Sequence, residues 1–380
     1  MTTQFQETHP SHYTDYYSEE YQLLLEFCNS IVVSRTIEEF IYTTEKEYYE
    51  SGNLKYEYRK RFEEKDGDYV EYYDNPNKQV YIQSTYKNGV KHGLYEEFRR
   101  NGQQHLRIPY KNGLAHGEYH SWYHNGKLMR CGNYKDGSKT GEHCEWYENG
   151  QLHMHSNYLN EYEYGIRREW YTNGTLKLKC TYENGVKQGE YKEWYENGLL
   201  LQQVMYVNGH KHGIHKEWYE NGKLRNQYTY QMDKKHGEGF EWFDDGKLYK
   251  NGTWEDGKAH GLYQKWYGPG KKYVESIYHN GLLNGIYREW HHNGQLSIEG
   301  NYIMNNRNGP YKKWYKNGQL LIETAYEADK IHGEYKEWHE NGHLSIHANY
   351  QHGDKLGIYL CWDEQGDKLV RMEYVKSQRT

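Results

Sequence analysis

Apolar positions recur in this chain on a fixed beat of 24 residues, each set among polar neighbours. Eleven tryptophans mark the beat without a slip: Trp122, Trp146, Trp170, Trp194, Trp218, Trp242, Trp266, Trp290, Trp314, Trp338 and Trp362. Phe98 holds the slot one unit earlier. Tyr72 and Tyr48 hold it before that, with a two-residue slip around Asn75-Pro76-Asn77. Fourteen units then cover nearly all of the chain beyond about residue 42. A constant period of this size marks a repeat array. Around Trp194 the unit reads Gly189-Glu190-Tyr191-Lys192-Glu193-Trp194-Tyr195-Glu196-Asn197-Gly198-Leu199-Leu200, then a polar stretch to Tyr206, then Val207-Asn208-Gly209. Aromatic runs bounded by Asn-Gly predict β-hairpins, because both residues tolerate the positive φ of tight turns. A second turn signal follows each return strand, as in Lys111-Asn112-Gly113. Each unit is strand, turn, strand, turn, and leaves no room for a helix.

The turn chemistry fixes a register. A two-residue type I′ loop needs φ > 0 at both central positions, but the slot before the turn glycine is Pro269 in one unit, and proline cannot adopt it. A three-residue loop with a bulge at the glycine fits instead. That register pairs each tryptophan with the leucine six residues on, as Trp218 with Leu224. Alternation then predicts the second aromatic of the return strand (Tyr134, Tyr230) on the tryptophan face. The opposite face receives the glutamate before the tryptophan and the tyrosine after it. A one-residue slip would swap the two.

The expected fold class is therefore all-β: an elongated single-layer antiparallel array of hairpins with a short N-terminal helical cap. About 28 strands at roughly 4.8 Å spacing would extend on the order of 130 Å. A single layer needs little deep core, and 45 tyrosines and 12 tryptophans supply broad rings whose polar tips tolerate half-wet sites. The domain division is 1–42 as an N-terminal segment and 43–380 as the array. In the first, Ser18-Glu19-Glu20 opens a helix with Tyr21, Leu24, Leu25 and Cys28 on one face, and extended material follows. It serves either as a cap on an open sheet edge or as a docking module. Ser377-Gln378-Arg379-Thr380 is expected to fray.

Charge narrows the partners. The net charge is -6 with both signs mixed along the chain, so no basic pole exists to bind nucleic acid. No apolar stretch approaches the ~18 residues of a membrane span, so no integral membrane segment is expected. Five cysteines, odd in number and without a CxxC pair, point with the lack of a signal peptide to a reducing intracellular, cytoplasmic location.

No residue set carries catalysis. Glu145, Glu169, Glu193, Glu217, Glu289 and Glu337 form a regular ladder beside the tryptophan slot, unlike the single carboxylate pair of a hydrolase. With Lys192 and Arg288 opposite, they read as salt-bridge decoration. The 23 histidines cluster before the opening glycine (His92, His116, His212, His236, His260, His332), but successive units lie about 10 Å apart, too far to share one ion. His153/His155 and His291/His292 are local pairs without a third ligand at suitable spacing. No metal and no cofactor is expected. The tryptophans read as a structural ladder stacked between units. The outward tyrosines Tyr123, Tyr147, Tyr171, Tyr195, Tyr219, Tyr267 and Tyr315 form the candidate interaction face, because tyrosine is enriched at protein interfaces.

Gly-x-Tyr-x-x-Trp-Tyr-x-Asn-Gly-x-Leu, closed by Asn-Gly-x-x-x-Gly as in Asn208-Gly209-His210-Lys211-His212-Gly213, resembles the MORN repeat. It is most similar to the 24-residue variant found in bacterial proteins described as antitoxin components and in giant-virus proteins. The resemblance covers about residues 43–380. It departs from the pattern at Tyr48 and Tyr72, which replace tryptophan, and at Lys272, which takes a leucine slot. It implies an extended hairpin sheet used for protein association. The expected function is a non-enzymatic protein-interaction scaffold for a protein partner, with homodimerisation through a sheet edge as a further expectation. An antitoxin neutralising a partner toxin and a peripheral lipid-binding module are the alternatives the resemblance leaves open. A viral source would place the chain in host cytoplasm or virion.

Overall fold

The computed structural model describes residues 42–375. The expected helical cap and the frayed tail at 377–380 lie outside the described residues, except that Tyr42 already opens a strand, Tyr42–Tyr48. Among the described residues every regular element is a β-strand. The chain divides into two compact units. Among the described residues, those up to Leu128 with Tyr134–Gly137 form one, and Met129–Asn133 with those from Ser138 onward the other. In the first, strands from Tyr42–Tyr48 to Gly117–Trp122 pair antiparallel with their chain neighbours. In the second, the same meander runs from Ser138–Trp146 to Lys368–Tyr374.

The hairpin joining Val186–Trp194 to Leu200–Val207 shows how the sequence builds a repeat. Tyr195 N–H donates to the Leu199 carbonyl at 2.8 Å and Gly198 N–H to the Tyr195 carbonyl at 2.9 Å. With Gly198 at φ +85°, this is the expected three-residue loop with a glycine bulge, and it pairs Trp194 with Leu200. Asn197 is absent from the residues of positive φ. Its carboxamide oxygen instead accepts the Leu199 N–H at 2.9 Å, closing an Asx turn. The loop at Pro269 differs: Gly268 pairs with Lys271, leaving only Pro269-Gly270 between the strands. The slip at Asn75-Pro76-Asn77 is absorbed in a longer loop closed by Tyr73 N–H to Gln79 O at 2.9 Å. The second turn of each repeat is tighter. Val207 pairs with His210, and Asn208 and Gly209 have φ of 50° and 81°, a type I′ turn.

Two irregularities per repeat set the faces. Glu193 pairs with Gln202 but Trp194 with Leu200, so the return strand carries one extra residue there. Farther along, Gln203 pairs with Lys216 but Met205 with His212, so the outgoing strand carries two extra residues around Gly213. Gly213 has φ +77° within strand His210–Trp218. The glycine five residues before the ring is thus a bulge glycine, within a strand at Gly213 and opening one at Gly117, Gly165 and Gly333. The extra residue after Leu200 corrects the predicted faces. It reverses the alternation on the return strand, so Tyr206 and Tyr230 lie opposite the tryptophans. Tyr206 packs edge-on against Tyr191 at 5.9 Å between ring centres, and Tyr230 against His215 at 5.7 Å.

This tyrosine face is where the core sits. Cys180, Tyr191 and Val204 are buried together, with Leu178, Tyr182 and Tyr206 around them. A single sheet closes this core by fitting large against small across strands. Tyr191 pairs with Val204, Tyr263 with Ser276, Tyr311 with Thr324 and Tyr335 with Ala348. Where the small slot instead holds Tyr228, the neighbouring strand answers with Gly239, whose missing Cβ would lie 2.3 Å from the Tyr228 ring.

Candidate interaction surface

On the tyrosine face most repeats build one polar-aromatic unit. Tyr191 donates its hydroxyl to Glu193 at 3.0 Å, and the same carboxylate oxygen accepts Gln202 at 2.6 Å. The Lys187 ammonium lies 4.7 Å from the Tyr191 ring centre and 5.2 Å from that of Tyr206, a cation–π contact. Lys91 sits likewise over Tyr95 and Tyr110, and Lys355 over Tyr359 and Tyr374. Burial pushes the Tyr191 hydroxyl up, with the Glu193 carboxylate adding to it, and desolvation lowers Lys91. On the opposite face, Tyr72 in the ring slot is buried and bonded to Glu57, and is pushed up to about 12. Half of the glutamate ladder, Glu193, Glu289 and Glu337, accepts tyrosine hydroxyls. Ion pairing takes two more of the ladder, Arg130 with Glu145 and Arg167 with Glu169, while Lys192 pairs with Glu190, and Arg288 with Glu275 and Glu299.

One repeat inverts this chemistry. Where others carry lysine and tyrosine, it has Glu163 and Arg167. Arg167 reaches Glu163 and Glu169 at 2.6 Å each. Burial works against the charge, but the two carboxylates outweigh it and hold the guanidinium above its ordinary range. His143 and His215 occupy the tyrosine slot in two other repeats, and burial lowers both.

The tyrosines chosen from sequence follow the tryptophans into the hairpin loops. Tyr147, Tyr171, Tyr195, Tyr219, Tyr267 and Tyr315 each donate a hydroxyl to the tryptophan carbonyl one repeat on, at 2.8–3.1 Å. Tyr123 is half-buried in the equivalent position. His291 and His339 replace tyrosine in this slot and donate through Nε2 to Trp314 and Trp362 at 2.9 and 3.0 Å. Asn197 bonds the Glu220 carbonyl in parallel at 3.1 Å. The row thus staples hairpin to hairpin wherever tyrosine or histidine holds the slot, and the hydroxyls of these six tyrosines are already engaged. Of the six staple tyrosines, Tyr267 is the most open, 39% exposed.

The eleven tryptophans lie half-buried on the other face. Trp122 stacks on His120 at 5.7 Å and Trp242 on Phe240 at 5.8 Å. Lys272, in its leucine slot, places its ammonium 5.2 Å from the Trp290 ring centre and bonds Glu275 at 2.6 Å. Ile214, Leu262, Ile286 and Ile358 all follow the bulge glycine, share this face by alternation, and are 42–51% exposed. Sequence reading missed this row; its signal was an aliphatic residue at a slot that elsewhere holds glutamate, as in Glu190 and Glu334.

Sequence spacing also missed a convergence of Glu327, His332 and His352, whose ligand atoms all lie within 4.8 Å of one another. Equivalent slots are a full repeat apart, but residues 20 apart meet across the turn. The signal was His352, standing where other turns carry Asn208 or Asn184. No helix among the described residues is long and apolar enough to cross a membrane.

A family model for a MORN repeat variant matches residues 43–59, 115–136, 139–160, 163–184, 187–208, 211–232, 283–304, 307–328 and 331–352, about half of the chain. No curated protein matches it. Among solved structures, the crystal structure of TcdB2-TccC3 is similar at 8% identity over 91% of this chain and 20% of that chain, with a TM-score of 0.17. The crystal structure of TcdB2-TccC3-Cdc42 is similar at 10% identity over 84% of this chain and 22% of that chain, with a TM-score of 0.15. The chain spans about a fifth of the length of these chains. Neither likeness bears on what it does.

Proposed function

The chain belongs to the MORN repeat variant family, and we propose that it works as a non-enzymatic protein-interaction scaffold, with the repeats of residues 43–380 supplying the contact surface. The observation that carries this reading is the exposed aliphatic row Ile214, Leu262, Ile286 and Ile358 beside the tryptophans. Apolar side chains held open at a recurring slot favour association with another protein over exposure to water. The tyrosine row offers a second contact surface of a different kind. With hydroxyls engaged by neighbouring carbonyls, Tyr147, Tyr171, Tyr195, Tyr219, Tyr267 and Tyr315 offer ring surface rather than free donors. The ladder glutamates Glu193, Glu289 and Glu337 accept tyrosine hydroxyls, which supports a structural role over a catalytic one. Cys180 and Cys361 are free thiols, in keeping with an intracellular location.

The test is affinity capture from source-cell lysate with the wild-type chain, with I214K/L262K/I286K/I358K, and with Y171A/Y195A/Y219A. Loss of the captured protein with the lysine variant alone supports the aliphatic row; loss with the tyrosine variant alone moves the contact to the hairpin loops. Capture unchanged by both variants would sink a face-mediated scaffold. Identification of the captured species separates a neutralised toxin from other partners. Light scattering of the purified chain separates a second copy paired at a sheet edge.

A further inference from the structure

Glu327, His332 and His352 converge at a turn, and we propose that they form a binding site for a borderline divalent metal ion of the zinc class. Glu327 ends strand Leu320–Glu327, His332 stands just before the bulge glycine Gly333, and His352 is the first residue of the next type I′ turn, at φ 51°. The hairpin connecting these strands brings together residues that a same-slot ladder keeps a full repeat apart. One carboxylate oxygen of Glu327 lies 3.2 Å from Nδ1 of His332 and 3.2 Å from Nδ1 of His352. The two rings are 4.8 Å apart between centres.

Three observations support a shared ion at this cluster. First, Nδ1 of His332 is buried and makes no hydrogen bond, although the carboxylate is within reach. Nδ1 of His260 is in the same state beside Glu255, and what this cluster adds is His352 as a further ligand on the same carboxylate oxygen. Second, the spacing from Glu327 to each histidine fits: two ligands bound at ~2.0–2.1 Å on a tetrahedral ion stand about 3.3 Å apart, and both distances are 3.2 Å. Third, two imidazoles and one carboxylate are a donor set that suits zinc and its neighbours better than magnesium or calcium, which take oxygen ligands. The fourth position faces solvent, since Glu327 and His352 are both exposed, and water completes the shell. Bound there, the ion ties the His352 turn to the strand before it.

A related cluster provides an internal control. Glu255 lies 3.2 Å from Nδ1 of His260, and the His260 and His279 rings are 4.9 Å apart. But His279 stands one position before its turn, and its ligand atoms do not close a triad with the other two.

The experiment is calorimetric titration of the full chain with zinc chloride, with melting temperature followed in parallel. The variants are His352→Asn, His332→Ala and His279→Ala. His352→Asn restores the residue that other turns carry at this position, so the fold is retained. The expected result is one tight zinc equivalent per chain and a zinc-dependent rise in melting temperature. H352N and H332A should each weaken binding at least tenfold, since even outer-shell changes cost about 10–100-fold, and H279A should leave it unchanged. The proposal is overturned if the wild-type chain binds no zinc below millimolar concentration, or if H352N binds as tightly as wild type.

Discussion

The repeat that carries Glu163 and Arg167 provides the sharpest test of how this sheet is held together. Arg167→Ala removes a guanidinium that is 27% exposed and bridges two carboxylates, Glu163 and Glu169, only 15% and 17% exposed. Breaking a buried pair from one side costs about 3–5 kcal/mol because the remaining charge is stranded. Access of water to these partly open groups reduces that to about 2–3 kcal/mol. The double variant Glu163→Lys/Arg167→Tyr rebuilds the unit seen at Lys187 and Tyr191, with lysine over the ring and the tyrosine hydroxyl offered to Glu169 as Tyr191 offers its own to Glu193. Cys180 is the small partner across the strand, as Val204 is for Tyr191, so the ring has room. The double variant should lie within about 1 kcal/mol of wild type, cation–π and hydroxyl contacts replacing the ion pairs. Urea unfolding read by tryptophan fluorescence gives the stabilities. Amide exchange in strand Gly165–Trp170 localises the loss, because repeat arrays open unit by unit. An Arg167→Ala cost below about 0.5 kcal/mol would refute the charged bridge as a holding element. A double variant no more stable than the single one would refute the exchange of one unit for the other.

Two further outcomes follow from the same geometry. Tyr195→Phe deletes the 2.8 Å staple to the Trp218 carbonyl and should cost about 1 kcal/mol, whereas Phe243→Tyr adds a hydroxyl at the equivalent slot and should raise the urea midpoint; a Tyr195→Phe midpoint equal to wild type counts against the staple. His143 and His215 are held below the ordinary imidazole range by burial, so the unfolded chain takes up protons first as pH falls through 6.5. Stability should therefore drop from about pH 6.5 toward the lowered folded values, and His143→Gln/His215→Gln should flatten that slope in pH-dependent melts; an unchanged slope would assign it to other groups.

Much of this architecture could be read from the chain because its turns are chemically explicit. Pro269 excluded a type I′ loop, and the remaining option, a three-residue loop with a glycine bulge, is what Gly198 adopts at φ +85°. The register pairing Trp194 with Leu200 followed directly. The faces did not follow, because one extra residue after Leu200 reverses the alternation and no residue type announces it. The bulge at Gly213 was hidden for a related reason: a glycine of positive φ inside a strand looks in sequence like a glycine in a turn. Long-range side-chain meetings were the least legible. Glu327, His332 and His352 are brought together by a hairpin whose slots differ by 20 residues, not by the 24 that the eye follows.

The side-chain staples from one hairpin to the next join residues no more than 25 apart, as Tyr195 with Trp218 and Tyr73 with Phe98. Every such contact closes a short loop, so ordering one repeat against the next requires no distant part of the chain to be in place. The same short reach makes length an editable property. Excising residues 187–210 would set Lys211 in the place of Lys187, Trp218 in that of Trp194, and Tyr219 against the Trp242 carbonyl as before. A chain built this way can gain or lose whole hairpins by duplication or deletion in its gene, changing how much surface it presents while each surviving joint keeps its own chemistry.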